Sequence, residues 1–434
     1  MTLDWLAAPG AALRGTIAVP GDKSVSHRAV MLAAIAEGSS RISGFLEGED
    51  TRATARILAQ LGVRIDVPGP SERLVHGVGL HGLVGTEEDL DCGNAGTGMR
   101  LLTGLLAGQR FSSRLVGDAS LSARPMGRVI GPLRAMGATI DACAQGFPPL
   151  IIHMSKGLHA IDFQPPVASA QIKSAILLAG LYARGETIVR EIQPTRDYTE
   201  RMLAAFGWPI EFAPGLVRLK GGQRLTAMDV EVPADFSSAA FFLVAASVIP
   251  GSDLSIRGVG MNPRRTGLLT ALRLMGADIS EESRAVRGGE AVADLRVRYA
   301  PLHGIRVPAS LVPDMIDEFP ALFVAAALAK GTTRIDGAAE LRVKESDRLA
   351  VMAKALSSLG ACIVETPDGA IIEGGALHGG EVESHGDHRI AMSLSIAGQM
   401  AAGDVRIADC ANVDTSFPGF VALASGIGFG LKAA

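Results

Sequence analysis

Cations recur beside hydroxyls, amides and carboxylates in a handful of short polar segments of this chain. PGDKSVSHR (residues 20–28) brings Lys23, Ser24 and Arg28 to the start of an apolar run. At a helix start, backbone N–H groups, a hydroxyl and two cations make an anion site. The glycine spacing before Lys23 does not fit a P-loop, and a Ser N-cap with solvated charges is the plain alternative. GNAGTGMR (residues 93–100) supplies glycines, among them Gly96, that let a backbone approach a ligand, with Asn94 and Thr97 as hydrogen-bonding groups. A tight helix start with no ligand explains it nearly as well. RPMGRV contributes Arg124, SAQIKSA contributes Ser169, Ala170 and Gln171, and TRDYTERM contributes Arg196. Two arginines alone usually mean surface salt bridges.

The second half of the chain adds carboxylates. PDMIDEFP packs Asp314, Asp317 and Glu318 ahead of an apolar run. One of Asp317 and Glu318 reads as a helix-start carboxylate favoured by the dipole. LRVKESDR carries Lys344, Glu345 and Arg348, and the spacing predicts that Lys344 and Arg348 share a helix face. SHGDHRIAM holds His385, His388 and Arg389. Its H-x-x-H lacks further ligands, so no metal site is expected there. No G-x-S-x-G, H-E-x-x-H or EF-hand pattern is present, and GVGLHG is discounted as a dinucleotide motif because no apolar helix follows it. If the helix starts converge, their dipoles and cations favour an anion with several charges. Asp317 and Glu345 are out of place in a passive anion sink and suit proton transfer.

What must position these residues is a repeat marked by glycines. One set, Gly38, Gly108, Gly185, Gly251, Gly331 and Gly403, each follows a helix-like apolar run at steps of 70, 77, 66, 80 and 72 residues. A second set, Gly62, Gly137, Gly207, Gly276, Gly360 and Gly428, ends a shorter amphipathic run. Both positions suit a left-handed residue just past a helix end. The unit reads helix, strand, helix, strand, with further strands before the next copy. Six such copies in two groups of three fill the 434 residues.

Composition removes whole classes. Lys and Arg number 41 against 45 Asp and Glu, a formal net charge of −4, which argues against broad nucleic-acid binding. The most apolar stretches are too short to span a bilayer, and the N-terminus shows no signal-peptide pattern. Four scattered cysteines without C-x-x-C suggest neither a disulfide framework nor zinc, and fit a reducing cytoplasm.

As a set and in order, from PGDKSVSHR to TSFPGF, these motifs closely resemble the 5-enolpyruvylshikimate-3-phosphate synthase family. The resemblance implies an α/β fold: a two-domain inside-out α/β barrel of six βαβαββ repeats, three per domain. Residues 1–20 with 234–434 would form one domain and 21–233 the other, with hinge strands near Pro20 and Pro233 and the active site in the interdomain cleft. It implies transfer of the enolpyruvyl group of phosphoenolpyruvate to the 5-hydroxyl of shikimate 3-phosphate, with release of phosphate, in the pathway to chorismate and the aromatic amino acids. No cofactor and no metal are implied, and a cytoplasmic monomer without nucleic-acid or membrane partners is expected. By resemblance Lys23, Ser24, Arg28, Ser169, Ala170, Gln171, Arg196, Asp317 and Lys344 bind shikimate 3-phosphate. Lys23, Gly96, Arg124, Gln171, Arg348 and Arg389 bind phosphoenolpyruvate. Asp317, Glu345 and Lys23 are the catalytic candidates: Asp317 as base for the 5-hydroxyl, Glu345 as acid or base at the enol methylene carbon.

Two departures stand out. Many family members carry a lysine just before Thr-Phe-Pro, where this chain reads Asp414-Thr415-Ser416-Phe417-Pro418. That change, with RPMGRV, TRDYTE and DEFP, resembles the family's class II, associated with glyphosate tolerance. Yet class II has Ala where this chain has Gly96, which leaves room beside the phosphoenolpyruvate site. Glyphosate is therefore expected to inhibit, although Leu101 after Arg100 pulls the other way. The rival readings are a UDP-N-acetylglucosamine enolpyruvyl transferase and a non-catalytic anion-binding module of the same fold. The first would want Lys-Asn where Lys23-Ser24 stands and a loop cysteine near Arg124. Against the second stand Asp317 and Glu345.

Overall fold

The computed structural model describes residues 3–434; Met1 and Thr2, the start of the first domain span, lie outside the described residues. The chain divides into two compact units. One comprises Met1–Pro20, Ala234–Ala285 and Ala291–Ala434; the other comprises Gly21–Pro233 with Val286–Glu290.

Each repeat forms one small sheet. In repeat two the strand order is Leu90–Asp91, Ser113–Val116, Leu150–Ile152, Ile140–Ala142. The first pair is parallel, with Leu90 opposite Leu115, and the other pairs are antiparallel. A parallel pair needs a crossover, and the helix Gly96–Leu106 provides it. Repeat three has the same order: Asp162–Phe163, Glu186–Arg190, Leu216–Lys220, Ile210–Ala213. Repeat one borrows its first strand from far along the chain: Val230–Glu231 lies parallel to Glu37–Ser43.

The other unit follows the same plan with the N-terminal residues shared out. Arg14–Ile17 lies parallel to Asp253–Gly260 in repeat four. Trp5–Ala8 sits between Val405–Ala408 and Gly430–Ala433 in repeat six. Repeat five has three strands, and an isolated parallel bridge between Arg306 and Arg334 stands in for its first.

The first helix of each repeat is the apolar one, and it lies inside. Phe236–Val248 is buried at every residue and packs against Phe319–Leu328 and His388–Met400. Such helices read apolar all round because no face meets water. In the other unit Gly96–Leu106 packs on Ala170–Gly180. A Cβ on Gly104 would come within 2.2 Å of the Ala175 carbonyl oxygen, so glycine allows the two backbones to approach. The second helices, such as Glu49–Gln60, keep an exposed polar face.

The second glycine set is left-handed at all six positions, with φ between 81 and 124°. The first set follows the expected geometry only at Gly38, Gly185, Gly251 and Gly331. Gly108 does not have positive φ; its need for glycine is packing, since a Cβ would sit 2.2 Å from Cγ of Tyr182. Gly403 also lacks positive φ, and nothing in the structure explains that glycine.

Candidate active site

In the unit built on Gly21–Pro233, the polar residues gather at the starts of three inner helices. Lys23–Ala34 is capped by Asp22, whose Oδ1 accepts the Val25 N–H at 2.8 Å. The expected Ser N-cap is thus replaced by Asp22, because an ionised carboxylate placed just ahead of the helix satisfies the same donors. Lys23 pairs with the buried carboxylate of Asp50. Arg28, one turn on, is buried: Nε donates to Thr199 Oγ1 at 2.7 Å, Nη2 to Ser174 Oγ at 2.8 Å and Nη1 to the Ser24 carbonyl at 2.9 Å. Burial pushes its pKa down to about 10 against the pull of Glu200 and Asp22. The guanidinium also lies 5.9 Å from the centroid of the Tyr198 ring.

Repeats two and three join through side chains. Gly96 opens its helix, and a Cβ there would meet Arg100 Nη1 at 3.1 Å and Arg124 Nη1 at 3.2 Å. Arg124 Nη2 donates to Asn94 Oδ1 at 2.8 Å. Gln171 accepts from Arg100 Nη1 at 3.0 Å and donates to Thr97 Oγ1 at 2.9 Å. Ser169 caps the helix that Ala170 begins, accepting from the Ile172 N–H at 3.4 Å. Arg196 is half-buried and follows Thr195, whose carbonyl accepts from Lys173 Nζ at 3.4 Å. Lys173 is buried with Glu191 at 2.9 Å and Glu200 at 2.8 Å. Burial disfavours its charge, but the two carboxylates outweigh that and hold the ammonium protonated.

The other unit assembles Asp317, Lys344, Glu345, Arg348 and Arg389. Asp317 Oδ1 lies 3.7 Å from Lys344 Nζ and 3.6 Å from Arg348 Nη1. Arg348 is 1% exposed, donates to Glu345 at 2.6 Å and to Asp387 at 2.8 Å, and so spans three carboxylates. Burial opposes its charge, yet Asp387, Glu345 and Asp317 together raise its pKa. Arg389 Nη1 donates to the Asp317 carbonyl at 3.1 Å. Asp387 caps the helix His388–Met400, accepting from the Arg389 N–H at 3.0 Å.

Some sequence expectations are corrected here. Lys344 and Arg348 do not share a helix face: Lys344 follows the short helix Ala339–Val343, and the next helix begins only at Arg348, after its cap Asp347. Glu318 does stand at the helix start, as one of the pair was expected to, but its side chain caps no backbone N–H and turns to Ser237 and Arg265. Asp414, where a cation is missing, is exposed in a short helix. His385 faces Glu383 at 3.6 Å, and no group of three or more metal-ligating side chains occurs among the described residues. Chemically, one unit offers cations and neutral donors, and the other offers carboxylates poised among cations.

A family model described as EPSP synthase (3-phosphoshikimate 1-carboxyvinyltransferase) matches residues 7–423. The chain belongs to the EPSP synthase family. It is 67% identical over 433 residues to a 3-phosphoshikimate 1-carboxyvinyltransferase of Xanthomonas euvesicatoria pv. vesicatoria, covering 100% of this chain and 98% of that one. It is 67% identical over 432 residues to the enzyme of that name from Xanthomonas campestris pv. campestris, covering 100% and 99%. A solved EPSP synthase from Acinetobacter baumannii superposes with a TM-score of 0.91 at 48% identity, covering 100% of both chains.

Within this EPSP synthase frame, Arg100, Asp50, Asp387 and Arg265 join the polar sets although sequence reading did not select them as site residues. Arg100 could have been found, since it closes the GNAGTGMR motif one helical turn after Gly96. Asp387 could have been found too, since it lies inside SHGDHRIAM as the cap of the following helix, whereas Asp50 and Arg265 lie far in sequence from the residues they touch and no local pattern marks them.

Proposed function

We propose that this chain transfers the enolpyruvyl group of phosphoenolpyruvate to the 5-hydroxyl of shikimate 3-phosphate. The observation that carries the reading is Asp317 held among Lys344, Arg348 and Arg389, with Glu345 on the same arginine. A carboxylate standing beside cations that attract both anionic substrates is placed to take a proton from a hydroxyl brought there. Asp317 takes the 5-hydroxyl proton as that oxygen bonds to C2 of phosphoenolpyruvate, while C3 receives a proton from Glu345. The resulting tetrahedral intermediate returns a C3 proton to Glu345 as its C2–O bond to phosphate breaks, and the leaving phosphate takes up the proton held by Asp317, giving the enolpyruvyl product and inorganic phosphate.

Lys23, Ser24, Arg28, Ser169, Ala170, Gln171, Arg196, Asp317 and Lys344 hold shikimate 3-phosphate in this reading. Lys23, Gly96, Arg124, Gln171, Arg348 and Arg389 hold phosphoenolpyruvate. The buried Arg28 also braces Thr199 and Ser174 beside that set. The space at Gly96 supports inhibition by glyphosate: no Cβ crowds the guanidinium groups of Arg100 and Arg124. Full activity at millimolar glyphosate would overturn that point. Free thiols at Cys92, Cys143, Cys362 and Cys410 support a reducing compartment, the cytoplasm. The net charge of −4 supports partners that are small anions rather than nucleic acid. No described helix is long and apolar enough to cross a membrane, and the chain works as a monomer in this reading.

The test is phosphate release. Mixing the protein with shikimate 3-phosphate and phosphoenolpyruvate is expected to liberate phosphate. Release with UDP-N-acetylglucosamine in place of shikimate 3-phosphate, or with neither acceptor, would contradict the assignment.

A further inference from the structure

The segment that carries Asp317 is clipped by a turn of repeat four. Asn262–Thr266 is tight, with the Arg265 N–H on the Asn262 carbonyl at 2.8 Å and the Arg264 N–H on Asn262 Oδ1 at 2.9 Å. Its two arginines reach two carboxylates of the same short stretch. Arg264 meets Asp314 at 3.2 Å and Arg265 meets Glu318 at 2.8 Å. Both Arg265 and Glu318 are buried, at 3% and 2% exposure. The same guanidinium nitrogen that holds Glu318 lies 3.7 Å from Asp317 Oδ2.

Glu318 is the node of this arrangement. Its Oε1 receives Ser237 Oγ–H from the inner helix of repeat four and Arg265 from the turn, and lies 3.5 Å from Arg389 Nη1 of repeat six. Arg389 Nη1 in turn donates to the Asp317 carbonyl. One buried carboxylate therefore ties together three helix starts and the backbone of Asp317. Two adjacent carboxylates repel ionisation of each other unless a cation is shared between them, and Arg265 is that cation.

We propose that Arg265 and Glu318 are positioning residues for Asp317 and Arg389, a buried pair that fixes where the base and its neighbouring cation stand and sets the charge around the base. This rests on the reading of Asp317 as the base. The other groups facing Asp317 are Lys344 and Arg348 on Oδ1 and Arg389 on its carbonyl. Glu345 and Asp387 act on it through Arg348, and Asp235 lies 3.7 Å from Arg265. Removing one cation from this balance makes Asp317 harder to ionise; removing Glu318's charge does the reverse.

The experiment is the pH dependence of kcat for the full chain with saturating shikimate 3-phosphate and phosphoenolpyruvate. Arg265→Gln is expected to lower kcat by about tenfold and to move the acid limb to higher pH by roughly half a unit or more. Arg265→Lys, which keeps the charge, restores the limb. Glu318→Gln moves the limb to lower pH and raises KM for phosphoenolpyruvate through Arg389. A purely structural pair would change stability and leave the limb in place. If Arg265→Gln does not fold, Glu318→Gln decides alone, since it is nearly isosteric. An unmoved limb in the folded variants overturns the proposal. No phosphate release by the unsubstituted chain is a separate failure, and it strikes the reaction itself.

Discussion

At the starts of the inner helices, the unit built on Gly21–Pro233 shows cations and neutral hydrogen-bonding groups, while the carboxylates that pair with Lys23 and Lys173 are hidden. The side chains of Asp50, Glu191 and Glu200 are 7%, 5% and 2% exposed. In the other unit the side chains of Asp317 and Glu345 are 14% and 29% exposed and stand among the cations. Both units also carry a buried ion cluster beneath, but with opposite polarity. In one a lysine of the inner helix, Lys173, gathers two carboxylates from outside the helix. In the other a glutamate at the helix start, Glu318, gathers arginines from a turn and a neighbouring helix. In the proposed reading the first unit holds anions, while the second both holds them, through Lys344, Arg348 and Arg389, and moves protons.

The largest expected break in that division is Asp317→Ala. Removing a general base is expected to cost about 10²–10⁴ in kcat with small changes in KM, measured by steady-state phosphate release. Lys23→Met, on the holding side, is expected to raise KM for both substrates as well as lower kcat. Next comes Lys173→Met, which leaves Glu191 and Glu200 buried without their ammonium. The expected cost is about 3–5 kcal/mol of stability, read from urea unfolding. A raised KM for shikimate 3-phosphate is expected as well, because the loop bearing Arg196 hangs on Lys173. Wild-type unfolding would show the cluster to be idle.

Gly96→Ala is expected to be milder and confined to one substrate. The new methyl must displace Arg100 or Arg124 by a few tenths of an ångström, so KM for phosphoenolpyruvate rises about tenfold while KM for shikimate 3-phosphate holds. Equal changes in both would place Gly96 elsewhere in the chemistry.

The smallest effect is in stability at low pH. Burial, then Lys23 and Arg28, keep the His27 imidazole neutral, its pKa well below the usual value. Below pH of about 6.5 the unfolded chain takes up a proton that the folded chain refuses. Stability from this site is complete above that pH and falls as pH drops, by about 1.4 kcal/mol per unit. His27→Gln is expected to flatten that slope in pH-dependent unfolding; an unchanged slope would reassign it.

The repeat was legible because its markers are local. All six glycines of the second set end helices in the left-handed conformation, a demand each makes on its own residue. The motifs were legible for the same reason: Lys23, Gly96, Gln171 and Arg389 stand at or beside helix starts, where composition changes abruptly. Lys344 was misplaced because i,i+4 spacing says nothing of the break between Val343 and Arg348. Arg265 was invisible because its role comes from long-range contact with Glu318, and so does the tie of Asp387 to Arg348, although the capping role of Asp387 is local. The swapped strands Trp5–Ala8, Arg14–Ile17 and Val230–Glu231 are likewise set by pairing across the chain.

The division between holding and proton transfer is tested most directly by calorimetric titration of shikimate 3-phosphate into Asp317→Ala. The expected result is a Kd within about threefold of the unsubstituted chain although turnover has collapsed. Loss of binding as large as the loss of turnover would contradict the account, because Asp317 would then act chiefly by holding the substrate and not by taking its proton.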